Sequence, residues 1–449
     1  MQSKYHKRNE NDIEIQNEMI FFSQMNGIGK LFRKGRQTMK KLFRKFCILQ
    51  FTYWGFQAAM PGYLSAYLLD RGVRAGQLGL LLSVHMLCCF AGTLIWGRFV
   101  DRHRASKRFF LGGSIASLFF CMLVYLSAPQ IPLLFLGYPL FGFMVGPLGT
   151  TIDAWVIATF PEDPTAMSRS RSFATFAYAV VMLLMGQVIH RTGYQFMPFA
   201  AIFMIGVAVW TAIQLPEIPQ ADCVDVHDGE SKVNAGALLR SRVFILLLAG
   251  MFFTGISIAP INNMKVLIFE SVGGDVSFLG WDSFIGCMVQ IPFLALAGNF
   301  RRIKAEKRLV IGAFAAIAYA LMIVIANHPA VVVIGTVMNN ISFGLLYPAM
   351  REITEKQVAP ELRNTAHSLV DVAYGSLSGM VASSWSGMII ESFGTRALGE
   401  ISIVMQAAGV VFCLMIFVCR KTTTQKSFTI SGIIGNLVGE QVSGKATEA

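Results

Sequence analysis

Asp153 interrupts the apolar run GPLGTTIDAW. Arg171 follows it eighteen positions later, with Arg169 beside it and Tyr178 seven residues further on. Carboxylate and guanidinium are planar and complementary: they can pair with each other, and each can hydrogen-bond a hydroxyl-rich solute in bidentate fashion. Tyr178 lies two helical turns beyond Arg171 on one face and can offer its ring to such a solute. The same Asp153–Arg171 pair also reads as a structural salt bridge, and the residues alone leave both readings open. Late in the chain His367 and Asp371 stand four apart, on one helix face. A histidine beside a carboxylate in an apolar interior can exchange a proton near neutral pH; the alternative is a first helical turn facing water. Gln57, Asn262 and Gln290 are weaker candidates, as are Asn263, Asn339 and Asn340. Each could face a cavity or simply bond a neighbouring helix. His85 reads as a packing residue, and Lys265 and Asp282 read as too near an outer surface to be central. No metal-ligand set, nucleophile elbow or phosphate loop accompanies these groups, so no metal, cofactor or enzymatic activity is expected.

The elements that carry these residues follow from composition. Of 449 residues, 54% are hydrophobic and 14% charged, more apolar surface than a soluble domain of this size can bury. Runs of about 20 apolar residues are the length that crosses a bilayer as a helix. Twelve are expected, over roughly 46–70, 77–97, 108–127, 131–158, 169–190, 195–215, 242–269, 277–298, 308–326, 330–351, 364–390 and 397–419. A charge inside such a span costs about 2.5–3.5 kcal/mol or more, so each one needs a reason. Asp153 on the fourth span and Arg171 on the fifth lie at similar depth, each within roughly 12 Å of the turn that joins them.

Charge placement orients the spans. Of 38 Lys and Arg, all but Arg71, Arg74, Arg191, Lys265 and Arg396 fall in segments that share one side when the amino terminus is inside. The positive-inside rule then places both termini in the cytoplasm of a plasma-membrane protein. The net charge of +12 gathers at span ends, which argues against a nucleic-acid partner. The eight cysteines show no zinc or disulfide spacing. The expected organisation is a basic tail over 1–45, a six-helix bundle over 46–215, a polar linker over 216–241, a second bundle over 242–420 and a tail over 421–449. Residues 30–45 mix Leu31, Phe32, Leu42 and Phe43 with basic residues, as a segment lying on an anionic membrane or a solvated tail would.

Between the second and third spans the chain reads WGRFVDRHRASKR. Gly97, Asp101 and Arg102 followed by Lys107 and Arg108 resemble the signature loop of the major facilitator superfamily, a conformational-switch element. A degenerate copy, Gly298 and Arg302 followed by Lys307 and Arg308, recurs half a chain later. Gly97 permits a close helix contact, Asp101 can cap a helix end, and the arginines can bridge to the next bundle. The resemblance implies the major facilitator fold, all α, with two pseudo-symmetric six-helix bundles and a substrate site between them.

Within that superfamily the Asp153, Arg169, Arg171 and Tyr178 spacing resembles the lactose-permease branch of oligosaccharide and nucleoside proton symporters, with Asp in place of Glu and Tyr in place of Trp. Tyr53, Pro61, Tyr63, Tyr67, Gly76, Gln77 and Gly79, and the stretch 342–366, are similar to the same branch. The second half departs from it: the branch's coupling positions are held by Gln290, Ala318, Met338, Ile341 and Gly375. His367 and Asp371 are what this half offers instead. The resemblance implies a monomeric secondary transporter moving a sugar or nucleoside by alternating access, with a proton as co-substrate and the lipid bilayer as its setting. The alternatives are a drug or aromatic-acid transporter of the same superfamily and a non-transporting membrane sensor.

Overall fold

The computed structural model describes residues 39–103, 106–163, 165–217, 238, 241–295, 303–358 and 362–444; within these, the side chains of 98, 101–103, 294–295, 364 and 420–444 are outside the description. The Gly298–Arg302 copy of the loop motif, most of the 216–241 linker and most of the 1–45 tail therefore lie outside the described residues.

The described chain is helical almost throughout. Helix α1 covers 39–59. It is followed by α2 Pro61–Asp70, α3 Ala75–His103, α4 Ser106–Ser127, α5 Ile131–Val145, α6 Leu148–Thr159, α7 Ala166–Thr192 and α8 Met197–Ile213. After the linker come α9 Arg242–Asn263, α10 Lys265–Ser271, α11 Val276–Ala295, α12 Ala305–Val324, α13 Pro329–Gln357, α14 Arg363–Asp371 and α15 Ser378–Gly444. Ten segments are long and apolar enough to cross a membrane. One of them, 365–419, breaks at Gly394, where φ is 82° and a side chain would be strained, so it makes two crossings. With α1 and α2 as a further crossing, the described residues make twelve, in two groups of six around the linker.

Several crossings are broken helices, and the breaks follow from sequence. Pro61 and Pro147 lack the N–H that would continue the ladder, which separates α1 from α2 and α5 from α6. Pro260 precedes the break at Met264 between α9 and α10. Between α14 and α15 the chain widens into a π-turn, Val372–Leu377. The first helix begins at least as early as residue 39, earlier than hydropathy indicates, because Lys45 reaches Gln214 O (3.3 Å) at the end of α8. Large apolar side chains such as Phe199, Phe203, Trp210 and Phe393 point outward, as a lipid-facing surface requires.

The two halves meet along two seams, α3 with α15 and α7 with α11. Both are tightest at the end that carries the short turns near 71–74, 193 and 272–275, called here the turn end; the opposite, linker end carries 216–241. A Cβ on Gly387 would sit 1.9 Å from Ala75 O, and one on Gly280 would sit 2.7 Å from Met182 O. Such small-residue contacts let helix backbones touch without a hydrophobic driving force. Hydrogen bonds Ser83 Oγ to Met380 O (2.7 Å) and Gly76 N to Glu391 Oε1 (3.0 Å), and the His190–Asp275 ion pair (3.2 Å), join the halves there. Towards the linker end the α3 seam opens: among the described residues, nothing lies within 4 Å of a Cβ on Gly97 or on Gly375. Packing repeats the asymmetry. One buried apolar cluster runs from the first half into the turn-end part of the second, whereas the linker-end part of the second half has a cluster of its own. The fold is thus closed at the turn end and parted at the linker end.

Candidate functional site

Helix α6 presents Asp153 and α7 presents Arg171, and the two side chains form a hydrogen-bonded ion pair. The carboxylate's other oxygen accepts from Gln50 Nε2 at 2.8 Å, and Gln50 Oε1 in turn accepts from Trp54 Nε1 at 3.1 Å. The Arg171 guanidinium lies over the Trp54 ring, 5.0 Å from its centroid, a contact of about 0.5–2 kcal/mol. A buried glutamine and a tryptophan from α1 thus fasten an acid and a base brought by α6 and α7. The arginine side chain remains 42% exposed and the aspartate 15%. Part of the guanidinium fork therefore stays available to a solute.

The remaining first-half candidates flank this pair. Gln57 donates to Tyr53 OH at 3.2 Å, and Tyr53 donates to Val145 O at 3.2 Å. Tyr178 is half-buried, on the side of α7 that lies within electrostatic reach of Lys265 and Cys287 of the second half. Arg169 instead serves the α6–α7 turn: it pairs with Asp163 and lies over Phe43 at 4.9 Å. Asp163 also accepts from Thr165 Oγ1 (2.7 Å) and Thr165 N (3.0 Å). Those bonds, Thr165 foremost, hold its carboxyl below the usual aspartate range.

The second half carries a counterpart of reversed polarity. Arg351 of α13 donates to Asp371 Oδ2 at 2.5 Å and to Tyr347 OH at 2.7 Å, with its guanidinium 5.1 Å from the Tyr347 ring centroid. Here the base is on the tenth span and the acid on the eleventh. Arg351, rather than the neighbouring His367, is thus the bonded partner of Asp371. The Arg351 fork forms the stronger, charge-assisted bond, and His367 Nε2 lies 3.9 Å from Glu355 with its Nδ1 buried and unpartnered. The π-turn begins at the residue after Asp371.

Further up the second half, near the turn end, is a buried polar group. Lys265 Nζ contacts Asp282 Oδ2 at 2.8 Å and Thr336 Oγ1 at 3.0 Å, and lies 5.7 Å from the Tyr319 ring centroid. Tyr319 OH donates to Asn262 Oδ1 at 2.8 Å. The side chains of Lys265 and Asp282 are 9% and 3% exposed. They are buried within the bundle, near its turn end. Asp282 Oδ1 is buried with no partner, which costs about 1–3 kcal/mol or more for a charged group.

The family comparison decides what frame holds these groups. The model of the MFS_1 like family matches residues 43–398, most of the chain. The protein is a major facilitator superfamily transporter. It is 23% identical over 257 residues to the uncharacterized transporter YwbF of Bacillus subtilis (strain 168), a match covering 56% of this chain and 61% of that one. It is 29% identical over 119 residues to the sialic acid transporter NanX of Escherichia coli (strain K12), covering 26% and 28%. The chain thus spans less than two thirds of these relatives' lengths. Among solved structures it resembles the nucleoside transporter NupG (TM-score 0.72, 14% identity, 84% of this chain and 98% of that one). It also resembles a D-xylose-proton symporter (TM-score 0.60, 14% identity, 84% and 96%). At these identities the likeness establishes the fold.

In the transporter, other predicted residues take structural places. Lys107 donates to Ile213 O (2.7 Å) and Leu215 O (2.8 Å), neutralising the carbonyl end of α8. Arg108 pairs with Glu217 at 3.5 Å. They thus act on the end of α8 and the start of the linker, rather than on the second bundle, in this conformation. Gly97 makes no close helix contact here, and the side chains of Asp101 and Arg102 lie outside the described residues. Asn263 bonds Ser383 Oγ at 2.7 Å. Gln290 is half-buried on α11. His85 packs as expected, stacked on Tyr138 at 4.5 Å and bonded to its carbonyl at 3.0 Å.

Proposed function

We propose that the transporter carries a small polyhydroxylated solute, a sugar or nucleoside, together with a proton across the plasma membrane by alternating access, with both termini cytoplasmic. The observation that carries the reading is the Asp153–Arg171 pair, locked by Gln50 and Trp54 yet with its guanidinium part-exposed. A hydroxyl pair bonds a planar fork well, and Trp54 and Tyr178 supply apolar faces of the kind sugars and bases stack on. A relative that is a sialic acid transporter, and structural neighbours that are a nucleoside transporter and a D-xylose-proton symporter, support the same solute class. Gln57, Asn262 and Gln290 are proposed to line the site from both halves. His367 and Asp371, beside Arg351 and next to the π-turn, are proposed to exchange the proton at the linker end.

The test is a thermal-shift screen of the purified protein against sugars, nucleosides and aromatic acids. A solute of the first two classes should raise the midpoint; stabilisation by aromatic acids alone would overturn the reading. Sidedness has its own check: Ser231→Cys in the linker should resist an impermeant maleimide added to intact cells, and ready labelling would reverse the orientation.

A further inference from the structure

We propose that His190 and Asp275 form a pH-sensitive latch on the turn end, in which a proton taken by the imidazole from turn-side water strengthens the pair and holds the two halves shut. The proposal uses the alternating-access reading above and depends on neither the solute nor the symported proton. Its first support is where the pair sits. His190 stands in the last turn of α7 and Asp275 directly precedes α11, and their side chains meet at 3.2 Å across the seam between the halves. Alternating access has to part α7 from α11 at this end, so opening breaks the contact.

The second support is how the two charges are seated. Asp275 Oδ2 faces His190 Nδ1, while Oδ1 accepts from Ser277 N at 2.7 Å and so caps α11. An anion at a helix start and a cation at a helix end both suit the helix dipole. Burial opposes ionisation of Asp275, but the bonds from Ser277, with His190 adding to them, hold its carboxyl below the usual aspartate range. Asp275 is therefore an anion throughout the range, about pH 5 to 8, in which an imidazole gains or loses its charge. The neutral imidazole gives an ordinary hydrogen bond; the imidazolium gives a charge-assisted one. At 50% and 44% exposure the two side chains meet water while the end is closed, so the latch titrates without being opened first.

The third support is the surroundings. From the first half, Asp70, Arg71, Arg74, Arg191 and Tyr194 stand at this end; from the second, Glu270 and His328 do. Asp70 and Glu270 belong to opposite halves and lie within electrostatic reach of each other, two like charges that favour parting. His328 Nδ1 accepts from Ala330 N at 3.2 Å, a bond within its own half. On α15, Arg396 pairs with Glu400, and Glu391 crosses the α3 seam to a backbone N–H. Among the described residues, His190 is the imidazole that bridges the halves at this end.

The experiment needs no identified solute. Nitroxide labels at Gln195→Cys and Asn327→Cys, one in each half at the turn end, with accessible native cysteines replaced by serine, report whether that end is closed. Taking the reconstituted protein from about pH 8 to about pH 5.5 should raise the ratio of closed to open molecules. The part of that rise owed to the latch, about twofold to fivefold for an exposed ion pair, should be lost in His190→Gln and in Asp275→Asn. His190→Lys, a permanent cation, should favour the closed end at both pH values. A rise in His190→Gln or Asp275→Asn equal to the parent's, or a His190→Lys protein that opens as readily as His190→Gln, would overturn the latch. The symport reading fails separately: uptake of the solute found by thermal shift that ignores a proton gradient would remove symport, whatever the labels show.

Discussion

The two halves solve the same placement differently. In the first, Asp153 on the fourth span and Arg171 on the fifth are joined by two residues of a third span, Gln50 and Trp54. In the second, Arg351 on the tenth span and Asp371 on the eleventh are joined by Tyr347, which sits one turn before Arg351 on its own helix. Acid and base have changed places, and the fastening has changed with them. Three elements converge on the first pair, so its geometry is fixed. Two converge on the second, and the backbone beyond Asp371 is a π-turn, a feature found where helices bend or serve a site. Under the proposed function, the more firmly fastened first pair is the one assigned to solute and the second pair the one assigned to the proton.

The substitution with the largest expected effect is Arg171→Lys. An ammonium keeps the charge but loses the planar fork and the face that lies over Trp54. Binding of the solute identified by thermal shift should fall by about 100-fold or more, as losing about 3 kcal/mol of charge-assisted bonding implies. Calorimetry on folded protein measures it. Near-unchanged affinity would mean that the first pair is a structural bridge and that the two halves do not divide the work as described. A transport-competent Asp153→Asn/Arg171→Gln protein would say the same.

This much was within reach of sequence reading because the eighteen-residue spacing of Asp153 and Arg171 spans one helix turnaround, where depth can be counted at about 1.5 Å per residue. The twelve crossings were legible for a similar reason: the bilayer imposes a length. The partners Gln50 and Trp54 were not. They stand on a helix that only tertiary packing brings beside α6; Gln50 and Asp153 are 103 residues apart. The i,i+4 spacing puts His367 and Asp371 on one face, but it cannot show that Arg351 arrives from α13 to bond Asp371. The depth of Lys265 and Asp282 near the span ends was legible, but their burial was not, because it depends on Thr336 and Tyr319 arriving from α13 and α12.

Next in size is Asp371→Asn. If the second pair handles the proton, concentrative uptake at acid external pH should drop by about tenfold or more while solute exchange between equilibrated compartments persists, since exchange needs no net proton movement. Undiminished accumulation would take Asp371 out of coupling and leave the second pair a plain ion pair. A smaller effect separates the aromatic faces. Tyr178→Phe should keep affinity within about twofold, and Tyr178→Ala should cost about tenfold, near the 0.5–1.5 kcal/mol of an aromatic contact. Equal losses from both would give the hydroxyl, not the ring, the role.

The smallest expected effect tests how firmly the first pair is anchored. Asp163 lies in the turn before α7, accepting from Thr165 and pairing with Arg169, and that hydrogen bonding depresses its pKa. The sign follows from linkage: a carboxyl more acidic in the folded state contributes stability that is complete above its unfolded pKa, about 4, and is lost as pH falls through the lower folded value. Asp163→Ala should therefore lower the melting temperature slightly at neutral pH, and the gap between variant and parent should close as pH is taken below about 4. Thermal melts of both proteins across that range decide it. A gap that stays constant with pH would assign the loss to the turn's backbone conformation rather than to the charge. Because Arg169 lies two residues before Arg171, the same variant should leave solute affinity almost unchanged if Gln50 and Trp54 are the true fastening of the first pair. A large loss of affinity would move that fastening to the α6–α7 turn, and the contrast between a pair held by three spans and a pair held by two would no longer stand.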